Sequence, residues 1–196
     1  LAQILRKRRF ENGAMDFNFP ESSIEMDENR NVIDIRPEER RRANKIIEEF
    51  MLIANQTVAE QFFYADIPFV YRVHEYPDVA KLKKLTPILE MFNYKLRIDD
   101  DVHPRQLQDL LDKLEGKKEE EVISTLLLRS LKKARYSELC LGHFSLSVKY
   151  YCHFTSPIRR YPDLQIHRII KEFLDGKIDE KRAAYLDTVV KKSALQ

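Results

Sequence analysis

Residues 153–163 read "HFTSPIRRYPD" and hold Arg159 and Arg160 between Pro157 and Pro162. The two prolines restrict the backbone on either side of the arginines. A guanidinium suits a phosphate because its planar fork donates parallel hydrogen bonds and stays charged. The hydroxyls of Thr155 and Ser156 add donors just ahead of it. Pro162 fits the opening of a helix, whose N-terminal amides favour an anion. The alternative is that the arginines pair with carboxylates such as Asp163 and only hold the fold. Spacing leaves both readings open.

A second candidate lies in "RANKIIEEFMLIAN" (42–55). At about 100° per residue, Asn44, Glu48, Met51 and Asn55 share one narrow helical stripe. A carboxylate flanked by carboxamides suits hydrogen bonding to hydroxyls, such as those of a ribose. A polar residue satisfied by neighbouring backbone fits the same pattern, and spacing alone favours it. Glu49 points elsewhere, toward an exposed (i, i+4) pair with Lys45.

Phe17 and Phe19 fall in an extended stretch near basic residues, where aromatics can stack on bases. An alternating half-buried strand explains them equally well. Arg6, Lys7, Arg8 and Arg9 could touch a polyanion, although a solvated face is the commoner meaning of such a run. "DDDVH" (99–103) has the residue types of a metal site but no metal-binding spacing, and it also reads as a helix lead-in. His143 and His153 flank a predicted strand and could donate near the arginine loop, whereas His167 reads as structural.

These groups need elements to hold them. The first thirty-six residues read as mostly extended, with a turn at 27–31 and a strand at 31–35. A long helix is predicted from Pro37 to about Ala65, with Ala43, Ile46, Ile47, Phe50, Ala54 and Val58 on its apolar face. Glu38 and Glu39 suit its N-terminus. "FVYRVHE" (69–75) reads as a strand. A helix follows over 78–93, with Leu82, Leu85, Ile88, Leu89 and Phe92 as its buried stripe. Further helices are predicted over 104–114, 119–134, 162–174 and 179–192, and a strand over 142–154. This order is helix-rich α+β, not a regular βαβ series.

The chain has 196 residues, enough for one domain with a core. No apolar run approaches the roughly 20 residues of a membrane span. Four glycines argue against long flexible linkers. Cys140 and Cys152 give neither a disulfide framework nor metal-site spacing, so a reducing, cytoplasmic setting is expected. A net charge of +2 permits an acidic partner without demanding one.

Several stretches together resemble the RNB catalytic domain of the ribonuclease II and ribonuclease R family. They are "MDFNFPE" (15–21), "RANKIIEEFMLIAN" (42–55), "YRVHEYP" (71–77), "LLLRSLKKARYSE" (126–138), "GHFSLSVKYY" (142–151) and "HFTSPIRRYPDLQIHR" (153–168). They occur in the family's order and cover nearly the whole chain. The wording of the last is more similar to bacterial ribonuclease R than to ribonuclease II.

The resemblance implies a processive 3′-to-5′ exoribonuclease that acts on single-stranded RNA with Mg²⁺ and releases nucleoside 5′-monophosphates. It implies that Arg159 is the catalytic arginine, stabilising charge on the scissile phosphate. Thr155, Ser156 and Arg160 would accompany it in binding substrate. Glu48 would contact the sugar near the 3′ end, and Phe17 would stack on the last bases. No membrane and no obligate protein partner are implied.

The family's "DxxDxDD"-type aspartate cluster has no counterpart among these residues, and neither do its flanking oligonucleotide-binding barrels. Cys152 stands where the family usually has a small hydroxyl residue. The expectation is therefore a helix-rich piece, residues 1–196, from the C-terminal part of an RNB catalytic domain. Its Mg²⁺ ligands would lie outside the chain, and it would be inactive alone. The alternative is a non-catalytic RNA-binding module on the same scaffold.

Overall fold

A computed structural model describes residues 1–17, 22–37, 41–98 and 102–195. The chain opens with a helix, α1 (Ala2–Glu11), where an extended segment was expected. Its apolar periodicity is weak because charge docks it. Arg9 Nη2 donates to Glu49 Oε1 at 2.6 Å, and Arg6 pairs with Asp16 at 2.7 Å. Gly13, at φ +92, then turns the chain where an added Cβ would lie 2.8 Å from the Arg105 backbone nitrogen.

The expected turn at 27–31 joins two antiparallel strands, β1 (Ser22–Met26) and β2 (Val32–Pro37). Asp27 holds it by accepting the Asn31 side-chain amide and the backbone N–H groups of Asn31 and Asn29, and these bonds, the side-chain one first, lower its carboxyl pKa. The hairpin leaves Ile24, Met26, Val32, Ile33 and Ile35 exposed.

The long helix α2 runs Arg42–Tyr64, so Pro37 closes β2 instead of opening the helix. The expectation for Glu38 and Glu39 lies outside the described residues. The apolar face is also not where periodicity put the core. Ile46, Ile47 and Phe50 are exposed, while Glu49, Asn55, Ala59 and Phe62 are buried. Glu49 meets Arg9, so the exposed pair with Lys45 does not form.

β3 (Tyr71–Val73) forms as expected and pairs antiparallel with β4 (Arg135–Ser137). The single helix predicted over 78–93 is two, α3 (Val79–Lys83) and α4 (Thr86–Met91). Pro87 lies in the first turn of α4, where a missing N–H costs nothing. Leu82, Leu85 and Leu89 are buried as expected, and Phe92 is exposed. α5 spans Pro104–Leu114, with His103 and Gln106 forming a capping box. α6 (Glu120–Ser130) stops four residues early because Leu131 turns to an extended backbone.

The strand expected over 142–154 is instead a 3-10 turn (Phe144–Leu146) followed by irregular chain. Gly142 at φ +78 and Ser147 at φ +53 reverse its direction, which an alternating sequence does not reveal. It still borders β3, with Arg72 N–H donating to Tyr151 O at 2.9 Å and His74 N–H to Gly142 O at 3.0 Å. α7 (Tyr161–Leu174) and α8 (Glu180–Ala194) complete the chain, the latter capped by Asp179.

Two apolar clusters hold these elements. One gathers Leu82, Leu89, Leu107, Leu114, Ile123 and Leu127 from α3 to α6. The other gathers Phe62, Phe69, Val73, Ile166, Ile169 and Leu186 from α2, β3, α7 and α8. This second cluster fixes the C-terminal half of α2 against the start of α7, and the candidate site sits at that junction.

Candidate functional site

An open cleft of about 540 Å³ lies between the N-terminal half of α2 and the chain entering α7. Its helical wall carries Asn44, Glu48, Met51 and Asn55, the stripe expected from the sequence. Tyr151, His153 and Arg160 form the facing wall. Glu48 is about one-third exposed and lies 3.8 Å from Arg9 Nη2, so its carboxylate is both accessible and near a cation.

Asn55 does not offer its amide to a ligand. Its Oδ1 accepts the Phe154 N–H at 3.0 Å, and its Nδ2 donates to Tyr151 Oη at 3.2 Å. It is a buried clamp between α2 and the loop. On the other side of the loop, His167 Nε2 donates to Phe154 O at 2.9 Å, and the two rings stack at 4.4 Å. The structural reading of His167 holds.

The turn 156–160 is braced from α7. Asp163 is fully buried, and its Oδ2 accepts the Ser156 N–H at 2.8 Å. The same carboxylate accepts Arg160 Nε at 2.9 and 3.0 Å and Nη2 at 2.7 Å. A buried carboxylate needs such partners, since an isolated buried charge is prohibitive. The two arginines therefore divide the two readings between them. Arg160 is held by Asp163 while still lining the cleft. Arg159 is exposed, and its guanidinium has no ion pair among the described residues. Thr155 Oγ1 is buried without a hydrogen-bond partner.

The cleft also has a histidine that carries no charge at neutral pH. Burial, then the charges of Arg160 and Arg72, push His153 down to about 4. Its Nδ1 lies 3.0 Å from Tyr136 Oη. Behind it, burial and the neighbouring His74 and Arg72 push His143 down to about 3. Ser145 Oγ links these deeper histidines, 2.8 Å from His74 Nδ1 and 3.3 Å from His143 Nδ1.

The structure thus brings Glu48 and Arg160 into one cleft and sets Arg159, Thr155 and Ser156 on the adjoining turn. Phe17 is not in the cleft lining. It is half-buried against the α3–α6 cluster, and Phe19 lies outside the described residues. The basic run is largely engaged in holding α1, through the Arg6 and Arg9 pairs. In "DDDVH", residues 99–101 lie outside the described residues, Val102 is buried and His103 caps α5. Among the described residues no group of three or more His, Cys, Asp or Glu side chains could hold a metal ion. Sequence reasoning missed Tyr151 as a wall of the cleft. Its signal was its place beside the arginine loop, but the strand assigned there gave it no direction.

Comparison with known proteins gives the family. The chain matches the RNB domain over residues 1–176. It is 44% identical to Ribonuclease R of Aquifex aeolicus over 189 residues, covering 95% of this chain and 27% of that protein. It is 46% identical to Ribonuclease R of Thermotoga maritima over 176 residues, covering 89% and 25%. The chain therefore spans about a quarter of the length of these relatives. RNase R of Mycoplasma genitalium, solved with ribose-methylated single-stranded RNA, superposes with a TM-score of 0.92 at 34% identity, over 98% of this chain and 31% of that one. A yeast pseudonuclease shares the fold at a TM-score of 0.64 and 24% identity, over 80% of this chain and 19% of that one. The chain belongs to the RNB-domain family.

Proposed function

We propose that this chain is the C-terminal part of the catalytic domain of a 3′-to-5′ exoribonuclease that hydrolyses single-stranded RNA to nucleoside 5′-monophosphates. The observation that carries the reading is the braced turn beside the Glu48 cleft. It presents an exposed arginine, Arg159, with no ion pair among the described residues, on the turn whose Arg160 shares the cleft with Glu48, a carboxylate suited to ribose hydroxyls. In this reading Arg159 donates to the scissile phosphate as its charge develops, which preorganised donors stabilise best. Glu48 orients the terminal sugar. Arg160 lends positive potential to the cleft while Asp163 holds it, and the hydroxyls of Thr155 and Ser156 lie beside the phosphate path. The resemblance gives Phe17 the stacking role on the terminal bases, although it packs half-buried against the α3–α6 cluster and outside the cleft lining.

The family resemblance implies Mg²⁺, which would polarise the phosphate. The described residues do not fit that ion. Glu48 is the one carboxylate among the cleft-lining residues, and Mg²⁺ sites combine carboxylates in octahedral geometry.

The test is the full-length gene product that carries this chain. Arg159→Ala should cut turnover of 3′-labelled single-stranded RNA by about 100- to 1,000-fold while changing RNA affinity little. Equal losses in both would make Arg159 a simple phosphate anchor. The isolated 196-residue chain should release no mononucleotides with Mg²⁺, and robust release would refute the partial-site reading. A second reading is a non-catalytic RNA-binding module on the same scaffold, and an aspartate cluster encoded upstream of Leu1 would argue against it. It predicts salt-dependent RNA binding without turnover even by the full-length product.

A further inference from the structure

We propose that Asp163 is a positioning residue for the reaction, the group that sets the direction of Arg159. The proposal rests on the reading that Arg159 acts on the phosphate. Asp163 lies in the first turn of α7 and is fully buried, so it cannot itself reach substrate. Its carboxylate closes both ends of one turn. At the start it accepts the Ser156 N–H, and at the end it accepts the Arg160 guanidinium through Nε and Nη2. Between these anchors, Ser156 O accepts the N–H groups of Arg159 at 3.3 Å and Arg160 at 3.2 Å. Arg159 therefore rides on a loop that one buried carboxylate ties at two points.

The preceding residues are fixed independently, by Asn55 and His167 at Phe154. Thr155 Oγ1 has no partner and contributes nothing to the tie. Losing Asp163 would free residues 156–160 specifically, while the rest of the cleft stays clamped. The loss should appear in the step that needs Arg159 placed, because misplacement by about 1 Å can cost 100-fold.

The experiment is a double-mutant cycle in the full-length gene product, using Arg159→Ala, Asp163→Asn and their combination on a 3′-labelled oligoribonucleotide. Asp163→Asn alone should lower kcat by about 10- to 100-fold and leave KM within about twofold. In the Arg159→Ala background the same change should cost little more, since the residue it positions is already gone. An equal fold-loss in both backgrounds overturns the proposal and makes Asp163 a general fold support. Wild-type kcat in folded Asp163→Asn protein overturns it too. Should Asp163→Asn not fold, because Arg160 is left unpaired, Asp163→Glu keeps the charge and enters the same cycle with the same expected pattern. Wild-type turnover by Arg159→Ala would reject the phosphate reading, and this proposal with it. Loss from Arg159→Ala without loss from Asp163→Asn rejects the positioning role alone.

Discussion

Arg159 and Arg160 are adjacent and chemically identical, and burial gives them different work. Asp163 is buried and must be neutralised, so it captures the arginine that α7 brings within reach and leaves Arg159 to solvent. The sequence could show that an anion belonged near this pair. It could not show that one anion was internal, because the spacing of Arg160 and Asp163 fits an ordinary helix-start pair as well as a brace. The helical angle put Glu48 on the stripe that lines the cleft, whereas its role at a sugar rests on the family resemblance, and a test follows from its place. Glu48→Gln should narrow the preference for a ribose-ended over a deoxyribose-ended oligonucleotide by about 10-fold, since hydrogen bonds to a charged acceptor are the stronger ones. Competition binding measures it, and an unchanged preference would separate Glu48 from the sugar.

The buried histidines make a second prediction at this scale. His153 and His143 titrate at about 4 and about 3 when folded, below the ordinary 6.5. Both states are neutral above pH 6.5, so their contribution is intact there. As pH falls below 6.5 the unfolded chain takes up protons that the folded chain refuses. Stability then falls by about 1.4 kcal/mol per pH unit for each histidine until its folded value is reached. Urea melts from pH 7 to pH 5 should show this slope, and His143→Phe should flatten it.

At the scale of elements, helices with one apolar stripe and clear ends were readable. α5 came out with both boundaries as expected, because Pro104 opens it and its leucines repeat at helical spacing. α1 was not readable, since charge pairs and not apolar contacts dock it. The 142–154 segment misled because alternation says nothing of the left-handed residue at Ser147. α2 shows the same limit. Its apolar stripe is real in sequence but stays largely exposed at Ile46, Ile47 and Phe50, and the face buried at mid-helix carries Glu49 and Asn55. Arg9→Ala would leave Glu49 buried without its main partner, so it should destabilise the chain by about 3–5 kcal/mol. Arg9→Lys should recover only part of that, because an ammonium cannot reproduce the two-point contact. Chemical denaturation decides it, and a loss below 1 kcal/mol would mean that α1 docks by other contacts.

At the scale of the molecule, the described residues form two well-buried apolar clusters and, apart from them, leave two apolar surfaces bare. One is the β1–β2 hairpin, with five large apolar side chains exposed. The other is the N-terminal half of α2, where Ile46, Ile47, Phe50 and Ile53 face solvent. A lone two-stranded hairpin is marginal in water, and soluble monomers seldom leave large apolar patches uncovered. The stability of the chain should therefore be uneven. Backbone amides of 22–37 should exchange within seconds to minutes, while those of β3 and β4, which border the second cluster, should exchange only on global opening. The isolated chain should also enhance the fluorescence of an apolar dye and associate as its concentration rises. Ile33→Lys with Ile35→Lys should reduce both effects without changing the melting temperature, because neither side chain belongs to a core cluster. Slow exchange across the hairpin in a chain that sediments as a monomer would contradict this, and would mean that these apolar side chains are covered within the molecule itself.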